Sequence, residues 1–200
     1  MNRSGSVRWM RFRGRRRRLW AIVLVVLALL IIADRRGWLL VRDADDLPAY
    51  HGRLASVSRV IDGDTIEVNL PDSLHESAPT TRVRLWGIDC PEMPHFDQAE
   101  EPLAREATNL AIQMVQGREV RLYLEPQRPR DSYGRVLAHV ESGDGRSLNE
   151  ALLEAGLARA DDRWPHTRLT RYAQVELAAR RAEVGLWSKT APIAPSASAN

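Results

Sequence analysis

Four carboxylates and two guanidinium groups sit at the turns of this chain in a pattern that could do chemistry: Asp62, Asp64, Asp89 and Glu92 with Arg84 and Arg135. Asp62-Gly63-Asp64 reads as a tight hairpin turn. Arg84-Leu85-Trp86-Gly87-Ile88-Asp89-Cys90-Pro91-Glu92 reads as a strand end running into a turn, stopped by Gly87 and Pro91. Carboxylates gathered in one place repel one another unless a cation lies among them. Oxygen donors without a His or Cys set suit Ca²⁺ or Mg²⁺. A carboxylate left free of the ion can orient and deprotonate water. Two guanidinium forks match phosphate geometry and can neutralise an anionic oxygen centre. Together these features describe phosphodiester hydrolysis better than acyl or glycosyl chemistry. Each residue also has a plain structural explanation, Asp62 and Asp64 as turn formers, Arg84 in a surface salt bridge, Arg135 in a strand-edge ion pair. The residues alone leave both readings open.

The elements that must position these groups follow from periodicity. Arg53 to Ile61 is rich in β-branched residues, and after the Asp-Gly-Asp turn Ile66, Val68 and Leu70 alternate with Thr65, Glu67 and Asn69. Residues 71–80 read as loop. A third strand, with Val83 and Leu85 alternating against Arg82, Arg84 and Trp86, delivers Arg84 to the turn. Asp97 to Gln116 predicts a helix capped by Asp97, with an apolar stripe of Leu103, Ala107, Leu110, Ala111 and Met114, ended by Gly117. Val120 to Leu124 and Val136 to Val140 predict two more strands, separated by a loop holding Asp131-Ser132-Tyr133-Gly134-Arg135. Ser147-Leu148-Asn149-Glu150 is a capping box for a second helix, and a third begins near Pro165 with a stripe of Leu169, Tyr172, Ala173, Leu177 and Val184. The expected fold class is α+β: a five-stranded OB-type β-barrel of short antiparallel strands with about three helices. A helix-covered antiparallel sheet is the alternative.

Charge is spread unevenly over the 200 residues. Residues 1–47 hold 11 Arg and 4 acids, a balance of +7, whereas residues 48–200 hold 17 Arg, 1 Lys and 22 acids, a balance of −4. The basic pI of about 9.5 therefore belongs to the N-terminus, and the charge balance does not support a global basic field for non-specific nucleic-acid binding. An anionic ligand must be handled by local arginines. The single Cys90 allows no intrachain disulfide, and five scattered His with one Cys show no zinc-type spacing.

Residues 1–18 carry eight Arg and no acid, and Leu19 to Ala33 is an uninterrupted apolar run. With arginines able to snorkel and Trp20 and Trp38 at the interfaces, residues 19–41 are expected to form a transmembrane signal-anchor whose core is 19–33. Positive charge on residues 1–18 places that end in the cytoplasm and the catalytic domain outside. A secreted form after signal cleavage is the alternative, although no small-residue cleavage site follows Ala33. Residues 42–51 then read as a polar linker, and residues 189–200 as a disordered tail.

Val60-Ile61-Asp62-Gly63-Asp64-Thr65, Arg84 to Glu92 and Asp131 to Arg135 resemble, in order and spacing, the three signature blocks of the staphylococcal-type thermonucleases. Leu148 to Leu152, Gly156-Leu157-Ala158 and Gly185-Leu186-Trp187-Ser188 look like that family's C-terminal landmarks, so the resemblance covers residues 52–188. It implies calcium-dependent endonucleolytic cleavage of DNA and RNA that leaves 3′-phosphate ends, by a domain acting as a monomer. It implies Ca²⁺ bound by Asp64, Asp89 and the backbone carbonyl of Cys90, with Asp62 supporting the metal site. Glu92 would be the general base, Arg84 and Arg135 would stabilise the transition state, and Tyr133 would contact a substrate phosphate. Three positions depart from the family. Cys90 stands where Thr or Ala is usual, Ser132 replaces a lysine, and no base-stacking tyrosine is found around Asp161 to Trp164, where Trp164 is the substitute. A non-catalytic nucleic-acid- or protein-binding module on the same fold is the competing function.

Overall fold

The computed structural model describes residues 46–74, 77–94 and 99–189, together with Val23 and Val26. Helix α1 (Asp46–Tyr50) leads into β1 (Leu54–Val60), β2 (Thr65–Val68), β3 (Thr81–Leu85) and the two-residue β4 (Ile88–Asp89). Helix α2 (Ala104–Val115), β5 (Glu119–Leu124), β6 (Val136–Ser142), α3 (Leu148–Glu154), β7 (Arg159–Ala160), α4 (Leu169–Arg181) and a 3₁₀ turn at Gly185–Trp187 follow. Strands β1-β2-β3-β6-β5 close into a barrel, with β5 pairing back onto β1.

The alternation predicted along β2, β3 and β5, together with the β-branched residues of β1, is what fills the barrel: Val57, Ile66, Val68, Val83, Leu85, Val120 and Leu122 are all buried. The strands are not all antiparallel. β3 pairs with β6 in parallel, Val83 opposite Val136 and Leu85 opposite Ala138. The reason is topological, since α2 and β5 intervene and β6, antiparallel to β5, returns in the direction of β3. β6 also differs from a half-buried strand, because its residues Val136 to Val140 are all buried. Past the end of β3, Asn149 of α3 fills the β3–β6 seam, accepting from the Val140 amide at 3.0 Å and donating to the Trp86 carbonyl at 2.9 Å.

Other expectations need correction. Residues 46–50, read as linker, form α1 with Asp46 and Tyr50 buried, so four α-helices accompany the barrel among the described residues. Helix α2 begins at Ala104, not at 97, because Leu103 takes a left-handed conformation at φ 71 and supplies no side-chain cap. The proposed cap Asp97 lies outside the described residues. The Ser147 cap is present, its hydroxyl accepting from the Glu150 amide at 3.2 Å. On α4 the buried stripe is Tyr172, Val175 and Ala179; Ala173 and Leu177 face solvent. Among the described residues no helix is long and apolar enough to cross a membrane. The expected anchor at residues 19–41 falls outside them save for Val23 and Val26, and the tail from 190 onward also lies outside.

Candidate active site at one end of the barrel

The β1–β2 turn and the β3–β4 turn meet because Thr65 pairs with Arg84 and the Leu85 amide donates to the Asp64 carbonyl at 2.8 Å. The Asp62 carboxylate accepts from the Asp64 amide at 3.0 Å, forming an Asx turn that sets the tip. Gly63 is required there: a Cβ would lie 2.7 Å from Ala107 Cβ and 2.9 Å from Cys90 Cβ. The tip is therefore wedged between α2 and the β4 turn. The resulting position of Asp64 is deep, 2 % exposed.

Around Asp64 the expected residues converge. Its Oδ2 accepts from the Cys90 amide at 2.8 Å and its Oδ1 from Thr65 Oγ1 at 3.3 Å. Arg84 forms an ion pair with Asp64 through Nη1 and donates through Nη2 to Asp89 Oδ1 at 2.6 Å and to the Ile88 carbonyl at 3.3 Å. The guanidinium thus lies between the two carboxylates expected to hold metal. Asp62 and Glu92 complete the acidic group. Burial pushes the Asp62 carboxyl up. Glu92 faces solvent at the rim, where partial desolvation, then the Asp62 and Asp89 charges, push its carboxyl above the usual range. Burial pushes the Cys90 thiol far up, which makes it inert as a nucleophile.

Arg135 arrives from the loop before β6. Its Nη1 donates to Thr65 Oγ1 at 3.3 Å, beside Asp64, and its Nε to Asp131 at 2.7 Å. The same Asp131 carboxylate accepts from the amides of Tyr133 and Arg135, at 2.9 and 3.0 Å. Tyr133 stands outward, 85 % exposed. An open pocket borders this end of the barrel, lined by Arg84, Arg128, Tyr133, Arg135, Arg163 and Trp164 among others. Trp164 occupies the rim as the expected aromatic, but Arg128 lies 3.8 Å over its ring.

Several contributors were not singled out in the sequence. Thr65 and Asp131 orient Arg135. Glu101 ties down the Glu92 segment, its carboxylate accepting from the Glu92 amide at 3.1 Å and its amide donating to the Glu92 carbonyl at 3.0 Å. Arg128 and Arg163 add cations to a pocket in a mildly acidic domain. Asp131, as the first residue of a five-residue loop motif, carried a readable turn signal. The others depend on contacts distant in sequence.

Fit to a metal rests on the donor chemistry. Asp64 and Asp89 offer hard carboxylate oxygens on adjacent turns, with Asp62 and Glu92 adding negative charge, a set suited to Ca²⁺. Among the described residues the side chains already grouped closely enough to share an ion lie elsewhere, at Glu125, His139 and His166. There Glu125 accepts from the Thr167 amide at 2.8 Å and hydroxyl at 2.6 Å, with His139 Nε2 at 3.2 Å and the Tyr172 hydroxyl at 2.9 Å from His139 Nδ1. Burial pushes His139 down to about 4, so it is neutral. Burial opposes Glu125 ionisation, but the Thr167 hydrogen bonds outweigh it and hold that carboxyl low. Nε2–H then donates to Glu125, and Nδ1 accepts from Tyr172. This network seats the 161–167 loop, whose His166 ring abuts Gly87; at φ 76, a Cβ on Gly87 would meet that ring at 2.5 Å.

The family model for staphylococcal nuclease homologues matches residues 82–189. An uncharacterized endonuclease of Escherichia coli is 34% identical over 146 residues, spanning 72% of this chain and 82% of its own length. The thermonuclease of Staphylococcus intermedius is 35% identical over 136 residues, 66% of this chain and 75% of its own. Endonuclease YncB of Bacillus subtilis is 31% identical over 137 residues, 68% of this chain and 62% of its own.

Proposed function

This chain belongs to the staphylococcal nuclease family and is a nuclease, and from that premise we propose a calcium-dependent endonuclease that hydrolyses DNA, RNA or both at the Asp64–Arg84–Glu92 end of its barrel. The observation carrying this reading is the convergence of two cations, Arg84 and Arg135, and four carboxylates, Asp62, Asp64, Asp89 and Glu92, at one end of the barrel from three separate segments. Asp64, Asp89 and the Cys90 carbonyl would hold Ca²⁺, with Asp62 shaping the turn behind them. When bound, the ion supplies Lewis-acid stabilisation of charge on the phosphate oxygens.

Glu92 takes a proton from the attacking water. Its raised carboxyl makes it a stronger base than a free glutamate, and its rim position leaves it open to solvent. Arg84 and Arg135 donate to the non-bridging phosphate oxygens as negative charge builds. Arg135 is pre-aimed by Asp131 and Thr65 and needs little rearrangement. Tyr133 reaches a neighbouring phosphate from its exposed position.

The test uses the full-length protein on denatured DNA and on RNA, with calcium and then with chelator. Cleavage that requires calcium and leaves 3′-phosphate ends is expected. Undiminished cleavage by Glu92→Ala would remove Glu92 from the role of base, and no calcium-dependent cleavage would sink the enzyme mechanism.

The same reading extends to the N-terminus. The eight arginines of residues 1–18 and the apolar run from Leu19 to Ala33 support a single-pass anchor with the nuclease outside the cytoplasm. Millimolar external calcium would suit a site of modest affinity. N-terminal sequencing of the protein isolated from its host distinguishes this anchor from a cleaved signal.

A further inference from the structure

We propose that Arg130 is a positioning residue for the nuclease reaction, clamping the Asp131–Arg135 loop to helix α1 so that a segment preceding the barrel takes part in aiming Arg135 and Tyr133. Arg130 is 7 % exposed and carries its charge inside the domain. Its Nε and Nη2 fork onto the Asp46 carboxylate of α1 at 2.7 and 2.9 Å. Nη1 reaches Asp72, in the turn after β2, at 3.3 Å, and Nη2 reaches Ser73 Oγ at 2.9 Å and the Tyr50 hydroxyl at 3.3 Å. Asp46 is fully buried, and its Oδ1 also accepts from Ser73 Oγ.

The clamp has a chemical target. Arg130 Nη1 donates to the carbonyl of Gly134 at 2.5 Å, and Gly134 is the residue between Tyr133 and Arg135. Gly134 has φ 82, the left-handed turn that sends Tyr133 outward and Arg135 back toward Thr65. Within the loop, Asp131 supplies the acceptors: its carboxylate for Tyr133 and Arg135, its carbonyl for the Gly134 amide. Those bonds shape the loop but do not fix it to the barrel. The buried guanidinium does, because two carboxylates from separate segments hold it rigid while it grips the turn. A guanidinium is needed there, since a lysine cannot present donors to Asp46, Asp72 and Gly134 in one plane.

The inference rests on the roles given to Arg135 and Tyr133 above, and its test separates the two. Arg130→Lys and Asp46→Asn are made in the full-length protein, alone and combined with Arg135→Ala; if either costs the fold by circular dichroism, Asp72→Asn carries the same test. Each single change is expected to lower kcat by about tenfold to a hundredfold through misplacement of Arg135. In the Arg135→Ala background the same changes should cost less than about twofold, because the group they aim is gone. Amide exchange at Gly134 and Arg135 should quicken about tenfold while the β1–β2 amides are unchanged. Multiplicative losses in the double variants would overturn the positioning role, as would unchanged loop exchange. If the parent protein proves not to cleave nucleic acid, the exchange result still decides whether Arg130 holds the loop.

Discussion

At the scale of single residues, Arg84 is the unusual element of the site. It is expected to act on phosphate, yet in this structure it bridges Asp64 and Asp89. A cation already among the carboxylates competes with any metal for them. Arg84→Gln should therefore lower kcat by about 10² or more while calcium affinity, followed by titration calorimetry, holds or tightens. Loss of calcium binding in that variant would show Arg84 to be part of the metal site's architecture. Arg135→Ala, whose side chain bonds Asp131 and Thr65 instead, should lower kcat and leave calcium affinity alone. A change confined to KM would demote it to a binding residue. Cys90 contributes its peptide: its amide bonds Asp64 and its thiol is buried and protonated.

At the scale of elements, β6 and α4 are joined by a polar network inside an apolar interface. His139 lies on β6, Tyr172 on α4, and Glu125 just after β5, with Thr167 completing the chain of hydrogen bonds. The folded state holds His139 near 4 against an ordinary 6.5. Below pH 6.5 the unfolded chain takes a proton that the folded chain refuses, so stability is present above that value and is lost as pH falls toward 4. Glu125 adds a loss of the same sign at more acidic pH, since its folded carboxyl is also held low. Thermal melts should fall steeply over that interval, and His139→Gln, which cannot titrate, should flatten the slope. An unchanged slope would place the acid sensitivity elsewhere. The 161–167 loop that borders the pocket should loosen first, because Thr167 and His166 are the parts of it seated on this network.

For the whole molecule, the truncation boundary is the sharpest consequence. A chain beginning at residue 52, the domain start suggested by sequence, loses Asp46 and Tyr50 and leaves Arg130 without its closest counter-charge. Removing one partner of a buried pair costs about 3–5 kcal/mol, so that fragment should melt roughly 10 °C below one that begins before α1. Equal melting temperatures would show the clamp to be dispensable to the fold. Helix α1 was illegible because Asp-Leu-Pro-Ala-Tyr is only five residues long and proline-bearing, and its partner lies 84 residues away. The barrel, by contrast, was readable wherever one face meets solvent, as in β3 and β5, since burial there alternates with period two. The strand at β6 was readable too, but its burial on both faces and its parallel pairing with β3 were not, since no local pattern encodes them. The site motifs were legible because each lies in one turn. The clamps behind them, Glu101 on Glu92 and Arg130 on Asp46, were not, since neither residue type nor spacing announces a contact between separate segments.

The parallel β3–β6 seam also sets when the enzyme can exist during its own synthesis. Val83 meets Val136 across 53 positions of chain, so closure waits for strands made late, and such distant pairings are slow to form. Until β6 is in place, Asp64 and Arg84 have no Arg135 beside them. A ribosome-bound chain ended before residue 136 should carry the acidic half of the site and no cutting power, whereas release of the completed chain should switch cleavage on. Nuclease assays of stalled chains of increasing length would show the onset, and activity from a chain lacking β6 would refute it.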